Sequence, residues 1–328
     1  MRGTEHAPLP RRMILVAILF LLGLVGLVVG GDFLVKGSVG LAQRIGISPL
    51  IIGLTIVAFG TSAPELVISL DAALGGSGGL AVGNVVGSNI ANVLLVLGLP
   101  ALILPMTCDQ DGVQRIIYFL LGVTLLFIWQ MSDGTISRLD GVVLLVALTV
   151  FLGSQAWRAR QERMEALEAD LADEVGEVPT ETWRIAAYMV GGLVLLPLGA
   201  RLTVNSAIDI AEVLNISKEV VGLTIVAIGT SLPELATGVM AARSGESSVG
   251  IGNIVGSNFF NIAAIAGITS SVVPLPVDGH IMTFDVWVML GATVLLAALA
   301  LTQYCVGRWS GLALMSGFVA YLAVTASF

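Results

Sequence analysis

Residues 53–98 and 222–267 are two copies of one sequence. Displaced by 222 − 53 = 169 positions and compared without a gap, they are identical at 23 of 46 places. Gly53-Leu54-Thr55-Ile56-Val57-Ala58 returns as Gly222-Leu223-Thr224-Ile225-Val226-Ala227. Gly60-Thr61-Ser62 and Pro64-Glu65-Leu66 return as Gly229-Thr230-Ser231 and Pro233-Glu234-Leu235. Gly83-Asn84, Val86-Gly87-Ser88-Asn89 and Asn92 return as Gly252-Asn253, Val255-Gly256-Ser257-Asn258 and Asn261. Chance does not produce such a match, so the chain is expected to fold as two related halves.

The surroundings of the copies fix the medium. Of the 328 residues, 56% are hydrophobic and 12% charged, where soluble domains have about 45–50% and 25%. No Lys or Arg occurs between Arg44 and Arg115, or between Arg243 and Arg308. Apolar runs recur that are long enough, at about 20 residues each, to cross a hydrocarbon core as helices. We place ten spans at 13–42, 49–74, 80–103, 113–130, 137–156, 184–213, 218–242, 249–272, 282–303 and 309–327. The first follows Arg11 and Arg12, but it is too long for a signal-peptide core and lacks a small-residue cleavage site, so it reads as a retained helix. The expectation is an all-α integral membrane protein of the cell (plasma or inner) membrane, with ten transmembrane helices as two inverted five-helix repeats. Its parts are 1–156, a polar linker at 157–183, and 184–328. Because five is odd, the second half enters from the opposite side, a transporter pattern that puts the site near the midplane. Counting Lys and Arg in the short loops favours an outside N-terminus, eight against five.

The net charge of −8 describes a loop more than a partner, since eight of the 23 acidic residues lie between Glu162 and Glu181. Met164, Leu167 and Leu171 there fall at helical spacing, which suggests a short amphipathic surface helix in an otherwise solvated tether. Nothing is basic enough for nucleic acid. Cys108 and Cys305 are far apart, without metal-ligand spacing, and read as isolated thiols.

Glu65 and Glu234 lie well inside apolar spans. A carboxylate there costs at least about 2.5–3.5 kcal/mol, so each demands compensation. No basic residue shares their spans or the ones that follow, although Lys36 and Arg201 in the preceding helices could reach one. The simplest missing charge is a bound cation or a proton. Pro64 and Pro233 interrupt the helical ladder and free carbonyls near Gly60, Thr61, Gly229 and Thr230. Ala58, Thr61, Ser62 and Glu65 share a helical face, as do Ala227, Thr230, Ser231 and Glu234. Asn84, Ser88 and Asn92 form a stripe at i, i+4 and i+8, and Asn253, Ser257 and Asn261 repeat it. Every group offers oxygen; His6 and His280 lie in a tail and a loop. Such a set suits hard cations, and with two carboxylates and flexible geometry Ca²⁺ better than Mg²⁺. A cation channel would use similar oxygens without a closed shared cage. An intramembrane hydrolase would need an activated Ser, a paired Asp or a metal triad, so no enzyme is expected.

Gly-Thr-Ser-x-Pro-Glu followed by Gly-Asn-x-x-Gly-Ser-Asn, present twice, resembles the alpha repeats of the cation/calcium antiporter superfamily, in particular its prokaryotic sodium/calcium exchanger type. The resemblance covers about 110 residues in the two repeats, and the ten-span layout. It implies that Na⁺ influx drives Ca²⁺ out by alternating access, with no resident cofactor and with Ca²⁺, Na⁺ and the bilayer as partners. By the same resemblance, Glu65 and Glu234 would be ligands shared by both ions, joined for Ca²⁺ by the carbonyls of Thr61 and Thr230. The Ala58 and Ala227 carbonyls, with Ser62, Ser88, Ser231, Ser257 and the Thr pair, would build flanking Na⁺ sites, and Asn92 and Asn261 would lie at the centre. The first and sixth spans would slide across the rest. One departure stands out: relatives commonly have Asp at one or both of the positions held here by Asn92 and Asn261. The proton/calcium branch usually carries a glutamate in place of Gly-Ser-Asn, so coupling to H⁺ or K⁺ is the alternative to Na⁺.

Overall fold

The structure is a computed structural model that describes residues 9–107, 112–168, 181–214, 227–302 and 305–326. It is helical almost throughout. α1 is Leu9–Ile45. A broken helix follows: α2 Pro49–Ile52, a π-helical turn Gly53–Val57, α3 Ala58–Thr61 and α4 Ala63–Leu74. Next come α5 Gly78–Ala91, a second π turn Asn92–Val96, and α6 Gly98–Ile103, then α7 Val113–Met131 and α8 Arg138–Glu168. In the second half, α9 is Thr182–Val213, α10 Ala227–Thr230, α11 Leu232–Arg243 and α12 Ser247–Phe260. A π turn Asn261–Ala266 leads to α13 Gly267–Val272, another, Ile281–Asp285, to α14 Val286–Leu301, and α15 is Arg308–Thr325.

Among the described residues, seven helices are long and apolar enough to cross a membrane, or eight if the bent pair Pro49–Thr61 and Ala63–Leu74 counts as one. Of the ten expected spans, two are not among these. For 218–242, residues 218–226 lie outside the described residues, and Ala227–Arg243 continues as α10 and α11. The last, 309–327, is the helix α15.

The surface is that of a multi-pass membrane protein. Ile14, Leu15, Leu21 and Val25 of α1 are exposed, and so are all five tryptophans, from Trp287 at 58% to Trp309 at 85%. Indole rings with an apolar body and one N–H settle at the membrane–water interface. Trp157 lies 157 − 138 = 19 residues into α8, about 28 Å along a helix, close to one hydrocarbon thickness. α8 therefore leaves the bilayer near Trp157 and continues as helix. Where a polar linker was expected from 157, the same helix runs to Glu168; Leu171 and the rest of the acidic stretch to 180 lie outside the described residues. Nor is the extension merely solvated. Glu162 accepts hydrogen bonds from the Ser48 backbone N–H (2.8 Å) and from Arg158 Nε (2.9 Å), tying it to the start of the broken helix.

α1 and α9 pack along their length through small residues. A Cβ on Gly199 would stand 2.8 Å from Gly23 O and Leu27 N, and one on Gly192 2.7 Å from Leu34 N. Two short antiparallel ribbons complete the fold. β1, Met106–Thr107, pairs with β4, Cys305–Val306; β2, Thr135–Ile136, pairs with β3, Leu275–Pro276. β3 starts 275 − 106 = 169 residues after β1, and β4 305 − 135 = 170 after β2, so each ribbon joins one strand from each half.

Candidate functional site

The broken helix of the first half lies on α12 of the second. Contact is possible because glycine faces backbone: a Cβ on Gly53 would stand 2.8 Å from Val249 O, and one on Gly256 2.6 Å from Leu54 O. Gly222, the repeat mate of Gly53, lies outside the described residues.

At the middle of the seam the helix breaks. Ser62 has φ −86° and ψ 1°, α3 ends and α4 starts with Pro64 in its first turn, and the two pieces meet at 42°. The ladder resumes only with Leu66 N–H donating to Ser62 O. The second half repeats the device, with Ser231 at φ −87°, ψ 5° and Leu235 N–H donating to Ser231 O. The prolines thus do interrupt the ladder. However, Thr61 and Glu65 do not share the face of one straight helix, since the bend at Ser62 separates them.

This bend brings the two halves together. Ser62 Oγ donates to Glu234 Oε1 across the halves at 3.2 Å. Thr61 Oγ1 donates to Asn253 Oδ1 at 3.1 Å and stands 3.5 Å from Ser257 Oγ. Thr61 Oγ1 also lies 3.3 Å from Ala58 O. Glu65 and Glu234 are each 2% exposed, and Ser62, Ser88, Asn92, Ser231, Ser257 and Asn261 are buried with them. Thr230 is half-buried, and the side chain of Ala227 lies outside those described.

Many of the site's polar atoms are unpaired, acceptors for the most part but also the donor Asn253 Nδ2. Oε2 of Glu65, Oε2 of Glu234, Oδ1 of Asn92, Oδ1 of Asn261 and Oγ of Ser231 are all buried without a hydrogen-bond partner. Unpartnered buried acceptors are costly, and two of these belong to carboxylates. Among the described residues no basic side chain pairs with either glutamate; Lys36, one of the two that could have reached, binds Asp32 Oδ2 at 2.9 Å instead. A buried oxygen set of this kind fits a hard cation by its donor chemistry.

The sequence pattern of the family described as "Sodium/calcium exchanger protein" matches the chain twice, over residues 15–157 and 184–326. The chain belongs to this family. Its relatives include Inner membrane protein YrbG of Escherichia coli, 37% identical over 95% of this chain and 97% of that protein. Sodium/calcium exchanger MaX1 of Methanosarcina acetivorans is 35% identical over 94% and 97%. Among solved structures, the sodium–calcium exchanger NCX_Mj superposes with a TM-score of 0.81 at 32% identity, covering 95% of this chain and 99% of that one.

Three features of this sodium/calcium exchanger family member were not anticipated. Asn253, noted only as part of a polar stripe, takes the Thr61 hydroxyl across the halves, while its mate Asn84 donates to Ser69 Oγ at 2.9 Å and lies 3.4 Å from Glu65 O. Asn258, absent from the expected site, is 0% exposed with neither side-chain polar atom partnered. Finally, Asn92 and Asn261 each open a π-helical turn. Such turns recur at functional sites because the extra residue per turn re-aims side chains and carbonyls. No Pro or Gly marks their start; their placement at repeat-equivalent residues was the available signal.

Proposed function

We propose that the protein is a secondary antiporter that exchanges Na⁺ for Ca²⁺ across the cell membrane by alternating access at a site between its halves. The observation that carries this reading is the pair of buried glutamates, each with an unpartnered oxygen, in a pocket of hydroxyl and amide oxygens from both repeats. Ca²⁺ balances the two carboxylates. Its ligands are Glu65 and Glu234 with the Thr61 and Thr230 carbonyls, and Asn92 and Asn261 lie at the centre. Na⁺ takes flanking positions built by Ser62, Ser88, Ser231 and Ser257 and by the Ala58 and Ala227 carbonyls. Family membership supports the reading, in which 1–156 and 184–328 are five-helix repeats of opposite orientation, ten spans in all. Two ions competing for one cage enforce exchange, because a cage with uncompensated charge is costly to reorient in the bilayer.

The test is Ca²⁺ uptake into proteoliposomes loaded with Na⁺ and diluted into Na⁺-free buffer, beside sets loaded with K⁺ or given a pH gradient. Uptake that requires internal Na⁺ supports the reading. Uptake driven by the pH gradient or by K⁺ alone replaces Na⁺ with that ion, and no uptake under any gradient removes Ca²⁺ as the substrate.

The Asn pair carries a further prediction. Asn261→Asp adds a third negative charge to a site with two, so Na⁺ or pH dependence of exchange should change more than Ca²⁺ affinity. Initial rates across Na⁺ and pH series check it, and an unchanged profile would take Asn261 out of the ligand set.

A further inference from the structure

The helix breaks of both halves open on one cavity of about 560 Å³, lined by Gly60, Pro64, Gly229 and Pro233 and walled by α9 through Pro197 and Arg201. Gly60 lies against Leu193 and its repeat mate Gly229 against Val204. The level midway between the breaks is therefore (193 + 204)/2, residues 198–199 of α9, less than one helical turn from Arg201. At that depth Arg201 is exposed, and it has neither hydrogen-bond nor ion-pair partner among the described residues. An unpaired guanidinium inside a membrane span faces water, not hydrocarbon. Water that solvates Arg201 would therefore enter the cavity beside Asn205 and Thr230, although the rest of the lining is apolar, and the cavity adjoins the residues that place the two glutamates.

The repeat shows that this charge is not part of the common plan. Arg201 and Asn205 lie 169 residues after Asp32 and Lys36. In α1 that pair is joined at 2.9 Å and sums to zero. In α9 an uncompensated cation replaces it.

We propose that Arg201 is a specificity-determining residue, whose charge sets the potential in this cavity and weights cation access against divalent ions. The inference rests on the exchange reading above. A unit charge about 7 Å from the path in water lowers local monovalent cation concentration roughly 2.7-fold, and divalent concentration by the square, roughly 7-fold. Because Arg201 is not among the proposed ligands, though it shares the cavity lining with Thr230, it acts on apparent affinity and leaves the maximal rate alone.

Two measurements test this. In the proteoliposome assay, R201Q should lower the KM for Ca²⁺ roughly 7-fold and that for Na⁺ roughly 2.7-fold. The maximal rate should hold, R201K should behave as wild type, and the difference should shrink as inert salt is raised. Equal changes for the two ions, no change, or an R201K that behaves like R201Q would overturn the proposal. The second measurement needs no transport. With Cys108 and Cys305 replaced by Ser, N205C is labelled with anionic and cationic thiosulfonates of similar size. The anionic reagent should react faster, and adding R201Q should reduce the anionic-to-cationic ratio roughly 7-fold. An unchanged ratio, or no labelling by either reagent, overturns the proposal even if the protein exchanges Na⁺ for Ca²⁺. A wild type that labels as expected but takes up no Ca²⁺ refutes the exchange reading and leaves the cavity potential established.

Discussion

Glu65→Gln and Glu234→Gln should each abolish Na⁺-driven Ca²⁺ uptake while the protein remains folded and inserted. Glutamine keeps the shape of the side chain and an oxygen where Ser62 Oγ meets Glu234 Oε1 at 3.2 Å. What it removes is one of two negative charges that have no basic partner among the described residues. On the proposed reading each carboxylate and the bound cation form a buried charge pair, and losing one member costs about 3–5 kcal/mol. At 1.4 kcal/mol per tenfold, affinity should fall by at least about 100-fold. Stability moves the other way. Without a cation, two buried like charges destabilise the fold, so the melting temperature of either variant in chelator should equal or exceed that of the wild type. Flux assays with melting curves in matched detergent check both halves of the prediction. Near wild-type flux in either variant would remove that carboxylate from the site; lost flux with a collapsed melting curve would leave only a structural role.

Gly199→Leu should have the largest effect on folding. The obstacles to a side chain there are main-chain atoms, Gly23 O and Leu27 N, each 2.8 Å from a Cβ. Backbone cannot rotate out of the way as a side chain can. Membrane helices associate through close packing of small residues, and overpacking a tight site costs about 1–3 kcal/mol or more. α1 and α9 should separate, with loss of the monodisperse peak in size-exclusion chromatography. Gly153→Leu is the control, because Gly153 is exposed on α8 with no described atom within 4 Å of its Cβ position. If the two variants behave alike, the glycine seam does not hold α1 to α9.

The site was legible in the sequence to the extent that its chemistry is one-dimensional. A carboxylate in an apolar run is costly wherever the run folds, so Glu65 and Glu234 stood out before any geometry. Pro64 and Pro233 announced a break because a missing N–H is local. The hydroxyls and amides of the repeats were legible because they occur twice. What could not be read depended on contacts across the halves. Ser62 lies beside Glu65 in sequence yet donates to Glu234, and Thr61 turns to Asn253, 192 residues away. The π turns at Asn92 and Asn261 have no compositional mark. The docking of Glu162 on Ser48 joins residues 114 apart, from a stretch whose composition suggested only a tether. Arg201 was visible as a basic residue in an apolar helix, but its exposure to the cavity between the breaks emerges only when α9 packs against both of them.

The two ribbons have a mechanical meaning. β1 with β4 and β2 with β3 lace the halves together at two separate places, so swinging the halves apart like a hinged shell would tear main-chain pairings. We propose that the laced parts form a frame, along which α1 and α9, which contribute no strand to either ribbon and cross each other on glycine, would work as a piston.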